Sequence, residues 1–201
     1  MSSFSWPGEL PAQAPNRIWI RTATAWDVES LGEHFGMLSQ PSRYNRFMGA
    51  VSNCSQIAFD CVVQGREADR FTLIAELRQG SRESIIGEAC YAFDSEARCG
   101  EFAISVADRW HNQGLGSALL CALQSRAISL GHLKLFGESL KSTDQMKGLA
   151  RKTGFAFSRA LDWRAVRFDK RLPGRPSASL AGSGLPDHVV SPERTATLFT
   201  P

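Results

Sequence analysis

Between Arg17 and Arg171, hydrophobic and polar positions form segments whose period switches between two and about 3.6, the repeats that strands and helices impose. Arg17 to Thr22 alternates as a half-buried strand should, and Trp26 to Leu38 then carries Val28, Leu31, Phe35 and Leu38 at helical spacing. Phe71 to Leu77, Ser84 to Phe93 and Gly100 to Val106 are β-rich. They are joined by Gln79-Gly80-Ser81 and Asp94-Ser95-Glu96, loops short enough for antiparallel hairpins. A meander of neighbouring strands follows from that order. After Val106 the period lengthens, with Leu115, Leu119, Leu120, Leu123 and Ala127 forming a helical stripe and Gly131 placed as its C-terminal cap. Leu133 to Leu140 reads as a strand, Thr143 to Lys152 as a short helix ended by Gly154, and Phe155 to Phe168 as closing β material. The pattern predicts an α+β domain around a mixed, mostly antiparallel sheet.

The flanks break this pattern. Residues 1–16 hold Pro7, Pro11 and Pro15 among few apolar side chains, and residues 172–201 are rich in Pro, Ser, Gly and Ala. Both are expected to be poorly ordered tails, leaving 17–171 as the folded unit. With 43% hydrophobic residues in a chain of 201, one substantial core is within reach.

Charge and cysteine content narrow the function classes. The net charge of +3 is small and its basic residues are interspersed, which argues against a nucleic-acid surface. Five cysteines without a CxxC pair, mostly among apolar neighbours, suggest neither a disulfide framework nor a zinc site. His34, His132 and His188 have no partner at ligand spacing, so no metal is expected. The N-terminus lacks the basic and apolar regions of a signal peptide, and no stretch approaches a membrane span. A cytoplasmic protein is the expectation.

The most informative stretch runs from Glu101 to Leu120 and reads strand, tight loop, glycine pair, helix. Gly114 and Gly116 remove β-carbons that would hold a ligand off the backbone, so N–H groups at the helix start converge on one anion, helped by the helix dipole. A phosphate-bearing ligand is the expected occupant. No lysine follows the glycines as a Walker A loop requires, and Ser117-Ala118-Leu119 does not complete a dinucleotide fingerprint. The loop also comes after four candidate strands rather than opening a βαβ unit.

A strand ending in valine, followed by His111-Asn112-Gln113-Gly114-Leu115-Gly116 opening a helix, resembles the coenzyme A site of the GNAT acetyltransferases. Leu38 to Phe47, Ile85 to Ala89, Glu101 to Asp108 and Met146 to Phe155 further resemble the bacterial protein lysine acetyltransferases that modify acyl-CoA synthetases. Two positions depart from the pattern: His111 stands where Gln or Arg is usual, and Thr143 where an Asn commonly opens the next helix. The resemblance implies a GNAT fold with helices on both faces of the sheet. It also implies acetyl-CoA in a cleft between splayed strands, its pantetheine beside Ile104, Ser105 and Val106 and its pyrophosphate on residues 111–117, His111 to Ser117, with Thr143 nearby. An N–H at Val106 would then polarise the thioester carbonyl.

Acetyl transfer needs a neutral amine, whereas lysine titrates at about 10.4, so a proton acceptor is required. The family pattern points to Glu101 on the central strand as that base. Glu88 is a second candidate, because a carboxylate inside the apolar run Ile85 to Cys90 needs a reason. No tyrosine follows Leu133 to serve as general acid; Ser139 and Ser142 are the nearest substitutes. The activity implied is N-acetyl transfer from acetyl-CoA to a primary amine, with protein lysine the preferred acceptor. Small-molecule amine acetylation and a non-catalytic acyl-CoA-binding regulatory role remain alternatives.

Overall fold

The computed structural model describes residues 17–63, 69–174 and 197–199. Its strands are β1 (Arg17–Thr22), β2 (Arg70–Gln79), β3 (Arg82–Asp94), β4 (Cys99–Val106), β5 (Lys134–Leu140), β6 (Ala156–Arg159), β7 (Ala165–Arg171) and β8 (Thr197–Phe199). The helices are α1 (Val28–Met37), α2 (Gln40–Phe47), α3 (Cys54–Val63), α4 (Leu115–Ser129) and α5 (Asp144–Lys152). The strands form one sheet in the order β6-β7-β5-β4-β3-β2-β1-β8. Every pairing is antiparallel except β4 with β5. The α+β class and the meander expected from the periodicity are therefore present.

Helices cover both faces. On one side α4 seats Leu115, Leu119, Leu120, Leu123 and Ala127 in a core with Phe71, Leu73, Ala75 and Leu77 of β2 and Phe102 of β4. On the other, Leu31 and Phe35 of α1 and Ala58 and Val62 of α3 pack on Ile74 and Ile85. Neighbouring residues of β2 thus enter opposite cores, as the pleat requires of a strand buried on both faces.

The structure adds α2 and α3, for which the periodicity assigned no element. It also splits Phe155 to Phe168 into β6 and β7 around a turn at residues 160–164. The expectation of poor order for 1–16 and 172–201 falls mostly outside the described residues; of those stretches, Thr197–Phe199 lies antiparallel on β1.

One pairing is incomplete. β4 and β5 are matched only at Gly100 with Leu135 and Glu101 with Phe136, after which the strands diverge. The Phe102 ring fills the fork; a Cβ added at Gly137 would stand 2.6 Å from it, so this position of β5 accepts no side chain without a shift. The other edge of β4 stays paired to β3 as far as Val106.

Candidate active site

The N–H of Ala107 donates to the Ile86 carbonyl at 2.8 Å, which fixes the alternation along β4. Backbone groups of Ser105 and Ala103 are aimed at β3, and those of Val106 and Ile104 at the gap left by β5. A strand edge with free N–H and C=O groups is thereby exposed inside the fold, the kind of edge a peptide-like ligand extends. The Val106 carbonyl is met by His111 Nε2 at 2.9 Å.

The gap widens into a cleft of about 470 Å³, walled by α2, β4, the glycine loop, β5 and α5. At its end Gly114 caps α4 with φ 87°, and Asn112 also takes a positive φ of 59°. These two left-handed residues turn the chain so that α4 begins pointing its N-terminus at the cleft. The first intrahelical bond runs from Ala118 N–H to the Gly114 carbonyl, so the amides of Leu115, Gly116 and Ser117 precede it and are free of the helical ladder.

Of the residues singled out from the sequence, Ile104, Ser105, Val106, His111, Asn112, Gly114, Gly116, Ser117 and Thr143 all line this cleft. Gln113 does not: its side chain donates to the Arg109 carbonyl at 2.7 Å. Leu115 is wholly buried in the core and has only its backbone to offer. Two lining residues, Trp110 and Thr143, carry buried polar atoms with no hydrogen-bond partner, the indole Nε1 and Oγ1 respectively. Leaving such groups unpaired costs about 1–3 kcal/mol each, which a ligand bearing amide and phosphate oxygens would relieve. Free strand-edge amides, a helix N-terminus and two orphaned polar atoms in one cleft fit an elongated, amide-containing, anionic ligand.

The two candidate carboxylates sit very differently. Glu101 is exposed on β4 at the last position paired with β5 and opens on a neighbouring groove of about 290 Å³. That groove and the cleft share Arg46, Phe102 and Ala103, whereas Glu101 lines the groove and not the cleft. Glu88 is completely buried. Its oxygens accept from Arg46 Nε at 2.6 Å, Ser105 Oγ at 2.9 Å and Cys90 Sγ at 3.1 Å, and His34 Nε2 lies 3.0 Å from Ser105 Oγ. Burial opposes charge on Arg46, but Glu88 outweighs it and holds the guanidinium firmly protonated. Burial also pushes the His34 imidazole below its usual value, although Glu88 pulls the other way.

Arg46 sits in the last turn of α2, a helix of mostly polar residues. The structure turns it inward, and the cue was Glu88, whose apolar surroundings demanded a cation. Glu138 of β5 was missed altogether. It lines the cleft, and because Leu135 points into the α4-side core, alternation puts Glu138 on the face it shares with Glu101. No lining residue of the cleft is a tyrosine; Ser139 lines it, whereas Ser142 does not. Among the described residues, no group of three or more His, Cys, Asp or Glu could hold a metal ion, and no helix is long and apolar enough to cross a membrane.

Comparison with known proteins gives a consistent result. The model of the acetyltransferase (GNAT) family matches residues 40–155. No curated protein matches the chain. Among solved structures, the GNAT domain of PAT from S. lividans superposes with a TM-score of 0.67 at 22% identity, covering 84% of this chain and 100% of that one. A GNAT-family acetyltransferase from Streptococcus pneumoniae gives 0.61 at 19%, over 78% and 99%. YncA from Salmonella typhimurium, solved with its cofactor acetyl-CoA, gives 0.60 at 16%, over 82% and 99%.

Proposed function

The chain belongs to the GNAT family of acetyltransferases, and from that premise we propose that it transfers the acetyl group of acetyl-CoA to a primary amine of a protein lysine, by direct attack within a ternary complex. The observation that carries this reading is the fork between β4 and β5, with its unpaired strand edge leading to the αL-capped glycine loop. Bound acetyl-CoA supplies an activated acetyl thioester. The chain's own part is to hold it and to manage charge and protons around it. Outward N–H groups at Ile104 and Val106 serve the pantetheine amides and the thioester oxygen, where charge develops during attack. The amides of residues 115–117 and the α4 dipole receive the pyrophosphate. Glu101, in the groove beside the cleft, takes the proton of the incoming ammonium through a bridging water. Glu138 is the second reading for that role, favoured by its place in the cleft itself. Glu88 works from behind: locked to Arg46 and Ser105, it fixes the strand that presents the edge.

The acceptor class rests on the motif resemblance and on the likeness to the GNAT domain of PAT. It is tested by following thiol release from acetyl-CoA with lysine-bearing proteins and with simple amines as acceptors. Release that depends on the protein lysine supports the reading, and release with small amines alone moves the acceptor to that class. Binding of acetyl-CoA without acceptor-dependent release would reduce the domain to an acyl-CoA-binding module.

The loop geometry gives a separate expectation. Gly114→Ala forces a β-carbon into the left-handed region at φ 87°, at a cost of about 1–2 kcal/mol. Relaxing that strain displaces the amides of residues 115–117. Calorimetric titration should therefore show coenzyme A binding weakened about tenfold, and unchanged affinity would mean that the loop does not hold the pyrophosphate.

A further inference from the structure

α2 is held in place differently from its neighbours. α1, α3, α4 and α5 each bury at least one apolar residue, whereas α2 buries none: its Phe47 is only partly covered against the core of α1 and α3, and its Arg46 side chain is the one largely enclosed. Beyond the edge-on contact of Phe47 with Phe35, polar ties at its two ends hold it. At the last turn Arg46 reaches Glu88 on β3. At the first turn Asp108, two residues beyond β4 and at the entrance to the glycine loop, accepts three bonds. They come from the Ser39 N–H at 2.9 Å, Ser39 Oγ at 2.7 Å and Ser42 Oγ at 2.6 Å. Between the ties, Ser42, Asn45 and Arg46 share one helical face and form the wall of the cleft contributed by α2.

We propose that Asp108 is a positioning residue for the amine acceptor: it couples the α2 wall to the junction of strand and loop that holds the acyl donor. The inference rests on the acetyltransferase reading above. A helix with no fully buried apolar residue leans on such ties for its orientation, and Asp108 is an anion seated at the helix N-terminus, where the dipole favours it. Partial burial pushes its carboxyl up, but the bonds from Ser39 and Ser42 and the nearby His111 outweigh this and bring it down to about 2. The tie is therefore charged across the whole neutral range. When the donor orders the loop, the same peptide segment that carries Asp108 is ordered with it, and α2 is steadied in turn. Removing the carboxylate leaves α2 pivoting on Arg46, with the donor's own contacts intact.

The test uses the full chain with Asp108→Ala, Asp108→Asn and the double variant Ser39→Ala/Ser42→Ala. Steady-state kinetics should show the amine KM rising about tenfold in Asp108→Ala, while the acetyl-CoA KM moves less than about twofold. The serine double variant, which keeps only the Ser39 N–H bond to Asp108, should reproduce much of this shift, and combining it with Asp108→Ala should add less than the two effects summed. Asp108→Asn, which keeps the shape and one acceptor oxygen, should fall between. Hydrogen exchange supplies a readout without turnover: coenzyme A should slow exchange in residues 40–47 of the wild type and not of Asp108→Ala. Equal rises in both KM values, additive losses, or identical exchange in the two proteins would overturn the proposal. Donor-dependent protection of α2 that Asp108→Ala abolishes, in a protein that acetylates no amine, would uphold the coupling and sink the acetyltransferase reading instead.

Discussion

Glu101→Gln is expected to lower kcat by about 10²–10⁴ while leaving the affinity for coenzyme A unchanged. The amide keeps the size and hydrogen-bonding shape of the carboxylate and loses only the ability to take a proton. An alkyl ammonium of pKa about 10.4 has no lone pair to attack with at neutral pH, so losing the acceptor acts on the chemical step rather than on binding. The geometry is suited to this. Glu101 lies where β4 and β5 last touch, in the groove adjoining the cleft, about 10 Å along the strand from Ile104 at the usual rise per residue. Glu138→Gln is the decisive comparison, because Glu138 lies on the same face within the cleft. If kcat collapses in that variant and survives in Glu101→Gln, the base is on β5.

The largest effect on stability is expected at Glu88. Glu88→Ala strands the Arg46 guanidinium, only 8% exposed at its side chain, without its counter-charge. Breaking one partner of a buried pair typically costs about 3–5 kcal/mol, a large share of the stability of a single domain. Urea unfolding should show it directly as a lowered midpoint. Replacing both partners, Arg46→Met with Glu88→Leu, should recover most of the loss, since the penalty belongs to the uncompensated ion rather than to the missing bond. A recovered fold in the double variant, with activity still impaired, would identify the pair as a device for placing α2 and Ser105. Equal instability in the single and double variants would mean that packing around Glu88 matters more than charge.

What could be read from the sequence follows how local each signal is. The stripe from Leu115 to Ala127 and the hairpin meander depend on neighbours within a few residues, and both appear where the periodicity puts them. α2 escaped because, Phe47 apart, its residues face solvent, the cleft or a polar tie, so it writes no apolar stripe. α3 escaped for a different reason, its Cys, Ala, Ile, Phe and Val residues giving an apolar run that fits helix or strand alike. Glu88 advertised its need for a partner, but Arg46 lies 42 positions away and no short-range pattern names it. The same holds for Asp108, whose three donors come from residues 66 and 69 positions earlier. The glycine pair announced a turn. That β4 parts from β5 after only two matched residues is a property of the assembled sheet.

That short seam also has a mechanical meaning. Strands β1 to β4 on one side and β5 to β7 on the other are stitched at two rungs and otherwise held by what packs over them. In the proposed binding mode, a donor lying against Ile104 and Val106 would supply rungs the polypeptide omits, making ligand occupancy and the cohesion of the two half-sheets a single equilibrium. On that reading the protein is most tightly knit with the donor or product coenzyme A in place and loosest once the cleft has emptied, so the empty state, rather than the working one, is where proteolysis and unfolding find their opening.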